Sequence, residues 1–378
     1  MASEPDDTTV DSRVPPDAEY WLALSRLKGI GRASFLRLLE IYHDPRTAWE
    51  QRDRDWQEAG AVRKSVVTDA QRGEALAWAK GQVDTLAKSD WSMVVYGASD
   101  FPRQLANLQH PPPYLFIRGQ IPDRLAIGVV GSRQCSDYGQ RAARQIASDL
   151  AYAGVVIVSG FARGIDRAAH EAALSSQGAT VAVWGTGPDV VYPREHKNLV
   201  GAVVASGAII TEFPFGTPPD AANFPVRNRL IAGLSEGVLV VEARSRSGAL
   251  LTAQHALEQG KDVYAVPGEI GRAQSAGTNE LLKAGARVVT DASDILADLG
   301  VRHRPRQVES PEAVTLPLPQ MTQVEHRVFE GLGGSACHVD RLAVSLDLSA
   351  AECVAALMSL QLKGIVKQEA GNVFARVR

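Results

Sequence analysis

Seven short segments, 126–130, 155–158, 180–184, 208–211, 237–241, 262–266 and 286–290, are rich in β-branched residues and nearly continuous in hydrophobicity. A strand with one face in water alternates apolar and polar positions, so unbroken apolar runs of four or five residues demand cover on both faces. Helix-compatible stretches, 141–153, 168–177, 250–258 and 280–283, lie between them. This alternation predicts an open, mostly parallel sheet with right-handed crossovers, a doubly wound Rossmann-like α/β domain over 89–300. Two further runs, 93–96 and 114–117, flank the triple proline Pro111 to Pro113 and are expected as short strands leading into that domain.

The flanking sequence divides into smaller pieces. Residues 1–18 are acidic and aperiodic, as in a disordered tail. Over 19–88, Leu22, Leu24, Leu27, Ile30, Phe35, Leu38, Leu39 and Ile41 recur at helical spacing around Lys28-Gly29-Ile30-Gly31. That pattern predicts an all-helical domain of helix-hairpin-helix or SAM-like type, whose Gly-x-Gly turn either presents amides to a phosphate or simply needs two glycines. Residues 301–319 are proline-rich and read as a linker. Over 320–378, three helical segments and a hairpin around Gly371 have the layout of a winged helix.

A chain of 378 residues, 45% hydrophobic and 22% charged, is globular and long enough for two or three folding units. No apolar run is long enough to cross a bilayer, and the N-terminus is acidic where a secretory signal would be basic, so a cytoplasmic location is expected. The three cysteines, Cys135, Cys337 and Cys353, have no CxxC spacing, which argues for packing and against a zinc knuckle. The formal net charge of −3 excludes a globally basic, histone-like mode of nucleic-acid binding. It leaves room for a local basic cleft.

In an open parallel sheet, ligands sit beyond the carboxyl ends of the strands. The loops there are Gly131-Ser132-Arg133, Ser159-Gly160-Phe161-Ala162-Arg163-Gly164, Gly185-Thr186-Gly187, the stretch from Thr211 to Gly216, and Glu242 to Gly248, which includes Ser247. Glycine permits close backbone approach, serine donates to a phosphate oxygen, and arginine adds a charge-assisted bond. A row of such loops suits successive phosphates of one strand. The segment Asn223 to Arg229 adds Phe224, a stacking candidate, with Arg227, Asn228 and Arg229. The competing readings are Phe224 as plain core and the two arginines as structural partners of Glu212 or Glu242. There is no Gly-x-Gly-x-x-Gly after the first strand, no P-loop and no nucleophile elbow. His170 and His255 fall within helices and read as packed or capping residues, and Asp166 as an organiser of its own loop. Neither metal nor cofactor is expected.

The runs Val129 to Arg133, Val158 to Asp166, Tyr192-Pro193 with His196, Phe224 to Ser235, Val241-Glu242-Ala243 and Ala265 to Gly268 closely resemble the DNA-processing protein A (DprA/Smf) family. The resemblance implies a non-catalytic recombination mediator of natural transformation, which binds and protects incoming single-stranded DNA and loads the RecA recombinase. It implies Arg133 as principal DNA contact, Lys197 as a further basic contact and Phe224 as a base-contacting aromatic. The lysine that often precedes this phenylalanine is replaced by Asp220-Ala221-Ala222. It also implies a homodimer through the last helix and strand of the sheet, at Leu281, Leu282 and Val289, with RecA docking near that end. Single-strand-binding protein is a further candidate partner, as is duplex DNA at the terminal domains, although the charge-balanced C-terminal domain suits protein contact better than groove reading. The alternative is a nucleotide-processing enzyme of the lysine-decarboxylase-like phosphoribohydrolase superfamily, for which Pro267-Gly268-Glu269 and Gly277-Thr278-Asn279-Glu280 form a broken version of the signature. A winged-helix transcription factor would need a basic recognition helix that 349–363 lacks.

Overall fold

A computed structural model describes residues 13–62, 67–301, 321–332, 337–369 and 371–376. The linker expected at 301–319 lies outside them except for Val301, as does the tail before Arg13. The chain forms two compact units, divided between Arg306 and Gln307.

The first unit opens with five helices, α1 (Ala18–Arg26), α2 (Arg32–Tyr42), α3 (Pro45–Glu50), α4 (Asp53–Glu58) and α5 (Asp69–Ala87). Gly29, at φ +94°, makes the turn between α1 and α2. Thr68 and Gln71 form a capping box that starts α5. There follow β1 (Ser92–Val95), α6 (Arg103–Ala106), β2 (Tyr114–Gly119), β3 (Ala126–Val130), α7 (Asp137–Tyr152), β4 (Val156–Ser159), α8 (Ile165–Ser175), β5 (Thr180–Val183), α9 (Lys197–Ser206) and β6 (Ala208–Thr211). The unit ends with α10 (Asn223–Gly233), β7 (Gly237–Val240), α11 (Gly248–Glu258), β8 (Asp262–Ala265), α12 (Ala276–Lys283), β9 (Arg287–Val288) and α13 (Ala292–Asp298).

The strands form one nine-stranded sheet in the order β1-β2-β6-β5-β4-β3-β7-β8-β9. It is parallel from β6 to β9, and β1 and β2 extend it antiparallel. Strands β3 to β7 are buried at every position, as their unbroken apolar sequence requires. The last apolar run shrinks to the two-residue β9, exposed at the edge.

The helical segment does not stand apart as the boundary at 88 suggests. Trp21, Phe35 and Leu86 share one core with Trp91, Met93, Phe116 and Trp184 of the sheet region. The Trp91 and Trp184 rings lie 5.7 Å apart. Large apolar side chains on α1 and α5 cover a sheet face that the antiparallel extension would otherwise leave wet. Order also begins before residue 18: the Arg13 carbonyl accepts from the Met93 amide at 2.9 Å, and the Arg13 guanidinium donates to the Ser89 carbonyl at 2.6 Å.

The second unit comprises α14 (Gln323–Gly331), β10 (Cys337–His338), α15 (Val339–Leu346), α16 (Ala350–Leu362), β11 (Val366–Glu369) and β12 (Val373–Arg376), with a sheet ordered β10-β12-β11. Capping boxes at Thr322 with Glu325 and Ser349 with Glu352 start α14 and α16. This is the winged-helix layout.

Candidate nucleic-acid interface

From β3 the chain proceeds through β4, β5 and β6 to one side, while β7, β8 and β9 lie on the other. The switch point therefore falls between β3 and β7, and the loops leaving those strands border the crevice where such sheets take ligands. Gly131-Ser132-Arg133 leaves β3. The Ser132 amide donates to the Glu242 carbonyl at 2.7 Å, and the Ser132 carbonyl accepts from the Ile165 amide. The buried Glu242 carboxylate accepts from the amide (3.0 Å) and hydroxyl (2.9 Å) of Ser136, which in turn caps α7. Glu242 is therefore a structural brace for the loop and not a partner of Arg227 or Arg229. Gly164, at φ +73°, closes the bottom: a Cβ there would lie 2.2 Å from the Ser132 carbonyl oxygen. The tethered loop carries Arg133, which is exposed and has no ion pair among the described residues.

The Arg133 guanidinium sits 4.8 Å from the centre of the Phe224 ring. Phe224 is half-buried at the start of α10, with the Tyr192 ring centre 5.7 Å away and Gly185 packed against it. The crevice between Arg133, Gly160, Trp184, Tyr192 and Phe224 has a volume of about 20 Å³, room for about one water and no more. A base cannot enter it. A base can lie on top, with Arg133 moving off the ring.

Under this surface runs a buried layer. Arg227, 3% exposed, donates to the Gly160 carbonyl at 2.6 Å and to the Val183 carbonyl. Burial pushes its pKa down to about 10, opposed by the Asp166 charge. Asp166 accepts from the Ala162 amide at 3.2 Å, and burial raises its pKa against the pull of Arg227. A Cβ on Gly160 would lie 2.7 Å from both terminal nitrogens of Arg227 and from Asp166 Oδ2, so the loop passes directly over the charge pair. Phe161 is fully buried at φ +60°, a left-handed conformation that few bulky residues adopt and that the surrounding contacts must enforce.

These positions correct several expectations. Arg227, Asn228, Arg229 and Ser159 frame the site and do not line its surface. Asn228 donates to the Gly248 carbonyl at 3.0 Å, and the Ser159 hydroxyl to the Val129 carbonyl at 2.6 Å. Arg229 bonds Glu212 at 2.5 Å and the His110 carbonyl at 3.0 Å, which is the structural pairing weighed for it. The reason is helical geometry: three and four residues after Phe224, the side chains of Arg227 and Asn228 return to the sheet-facing side of α10. Arg163 is exposed and paired with Glu195, while Lys197 is exposed at the first position of α9. Ser247 precedes α11 without capping it, and its hydroxyl is buried with no partner among the described residues. Gly248 has open space around it.

Two residues were missed. Arg244 and Arg246 follow β7, exposed and without ion pairs among the described residues. Their signal was the Arg-Ser-Arg-Ser-Gly run on the β7 side of the switch point. His170 and His196 are both buried. The Thr180 hydroxyl gives its proton to the Ile157 carbonyl, so His170 Nδ1, 2.7 Å from that hydroxyl, is the donor. His196 Nδ1 faces the Phe161 carbonyl at 3.1 Å. His255 pairs with Glu258 on α11. Of the expected interface residues, Leu281 and Leu282 are half-buried on α12, but Val289 is fully buried in the core and cannot meet a partner. Strand alternation places the exposed side chain one residue earlier, at Val288. Asn279 bonds both polar backbone groups of Gly268 and so joins the two halves of the broken phosphoribohydrolase signature, yet Glu280 is exposed and accepts from Ser245.

A Rossmann-like sheet joined in one chain to a winged helix is the domain pairing that matches a family of DNA recombination mediators. The chain belongs to that family: residues 92–300 match DNA recombination-mediator protein A, and 311–372 match the DprA winged helix domain. It is 41% identical to Protein Smf of Escherichia coli (strain K12) over 289 residues, covering 74% of this chain and 75% of the relative. It is 30% identical to Protein Smf of Synechocystis, covering 94% and 98%. Among solved structures, the X-ray structure of DNA processing protein A from Streptococcus pneumoniae superposes with a TM-score of 0.63 at 34% identity, covering 75% of this chain and 97% of that one. A structure of DNA processing protein A from Helicobacter pylori, described for its single-stranded DNA binding mode, gives 0.50 at 28% identity, covering 55% and 95%.

Proposed function

We propose that the carboxyl edge of the sheet holds single-stranded DNA without sequence preference and without cutting it, and that the protein protects the strand and loads RecA onto it during natural transformation. The observation that carries this reading is Arg133, held at the switch point over Phe224, exposed and with no ion pair among the described residues. A guanidinium so placed pairs with a phosphate, and the aromatic ring beside it stacks on any base. Arg244, Arg246 and Lys197 extend the cationic surface, as a multi-phosphate ligand requires. The ends of β4 and β5 supply framework to this surface: Ser159 spends its hydroxyl on a carbonyl, and His170 and His196 are buried against their own partners. The likeness to the Helicobacter pylori protein supports the same ligand. A dimer through α12 and β9, with Val288, Leu281 and Leu282 at the contact, would join two such edges into one path and raise avidity.

Arg133→Ala is expected to weaken binding of labelled oligothymidylate and to flatten the slope of log affinity against log salt by about 0.7, the share of one single-strand phosphate. The same variant should load RecA less well on strands coated with single-strand-binding protein. Unchanged affinity and slope across salt concentrations would refute the reading.

A further inference from the structure

Two exposed arginines border the crevice at Phe224, and they differ in what they hold. Arg133 has no ion pair among the described residues. Arg163, on the loop that leaves β4, gives its Nε proton to Glu195 Oε1. The two side chains are 56% and 44% exposed, so this pair stands in water beside the crevice, and burial does not account for it.

Three features set the contact apart from an incidental surface pair. The first is placement. Glu195 and His196 lie in a short turn before α9, and His196 Nδ1 faces the Phe161 carbonyl at 3.1 Å, which fastens the turn to the loop that carries Arg163. The second is the choice of partner. Arg194 and Lys197, close to Glu195 in the chain, are exposed and form no ion pair among the described residues, yet the carboxylate bonds Arg163, 32 positions away. The third is charge. The bond from Arg163, helped by the backbone amide of Glu195 itself, holds the Glu195 pKa down at about 2, so the carboxylate is ionised at neutral pH and mild acid does not release it. A carboxylate oxygen on a guanidinium stands where a phosphate oxygen would bind, because both anions accept from the same N–H groups.

We propose that Arg163 is a second phosphate contact of the strand and that Glu195 is its internal competitor, a carboxylate that covers the guanidinium until DNA displaces it. The inference rests on the sheet edge being a single-strand track. An exposed ion pair is weak, so a polyanion can open it. Arg133 and Arg163 border the same crevice, and a strand anchored at the first presents a neighbouring phosphate to the second at high effective concentration.

The test uses the full-length protein and labelled oligothymidylate at several salt concentrations. Both side chains are exposed, so substituting them spares the core. We expect Glu195→Gln to tighten binding about two- to fivefold, the weight of an exposed ion pair, and to steepen the slope of log affinity against log salt by up to about 0.7. Glu195→Ala, which removes the acceptor altogether, should act in the same direction. Loss of a negative charge near a polyanion favours binding even without a contact, and the Arg163→Ala background separates the two effects. In that background the gain from Glu195→Gln should shrink to about half or less. An equal gain there, or no gain from either Glu195 variant, would overturn the inference. If Arg133→Ala weakens binding while the Glu195 variants fail to tighten it, the single-strand reading stands and the competitor falls. If Arg133→Ala changes nothing, both fall.

Discussion

Arg227→Met removes the cation beneath the Gly160 loop and Phe224 while keeping most of the side-chain volume. The structure fixes what is lost: bonds to the Gly160 and Val183 carbonyls, and the charge that opposes burial of Asp166. Leaving two buried carbonyls without a donor costs about 1–3 kcal/mol each, and Asp166 also loses the charge that offsets its desolvation. Asp166→Asn in the same chain removes that charge and should restore about 1–2 kcal/mol, the signature of coupling in a double-mutant cycle. All six tryptophans fall between Trp21 and Trp184, so urea unfolding followed by tryptophan fluorescence reads the first unit alone. The pH dependence adds a sign. The Asp166 pKa is raised on folding, so its contribution favours the fold at low pH and is lost as pH rises from the unfolded carboxyl value, near 4, through the raised one. In Arg227→Met the pKa rises further and that loss extends to higher pH. A cost below about 1 kcal/mol, or a double variant no more stable than Arg227→Met, would refute the argument that this pair supports the loop.

His170 gives the opposite pH sign. Burial pushes its pKa down to about 3, so the unfolded chain takes up a proton near pH 6.5 that the folded chain refuses. Stability should fall as pH drops from about 6.5 toward 3, at up to about 1.4 kcal/mol per pH unit for this group, and His170→Gln should flatten that limb in urea titrations at stepped pH. At the sheet edge, Val288→Arg should shift the protein toward monomer in sedimentation velocity with stability nearly unchanged. Val289→Ala should cost about 1–3 kcal/mol and leave assembly alone, and the reverse pattern would place the interface elsewhere.

What could be read in the sequence follows the physics of each signal. Strands β3 to β8 were legible because burial on both faces leaves an unbroken apolar run, and their ends came within a residue of expectation. The α9 and α13 helices were not, since the former is almost wholly apolar and the latter only seven residues long. The merger of the helical segment with the sheet was invisible for another reason. Trp21, Leu86, Trp91 and Trp184 are apolar in any arrangement, and only contact shows that they share a core.

The site divides along the same line. Gly131, Arg133 and Phe224 could be picked out because backbone access, charge and stacking are properties of residue type. Whether an arginine faces solvent or carbonyls depends on which strand end lies opposite it, and that is set by sheet order. Arg133 and Arg227 are both arginines beside Phe224, with guanidinium carbons 4.8 Å and 6.0 Å from its ring centre. One is exposed and without an ion pair among the described residues, while the other is 3% exposed and bonded to two carbonyls. Their division of labour follows from that difference: the buried arginine fixes the floor on which Phe224 rests, and under the proposed function a fixed ring would let the outer arginine exchange its aromatic face for a phosphate without refolding the loop.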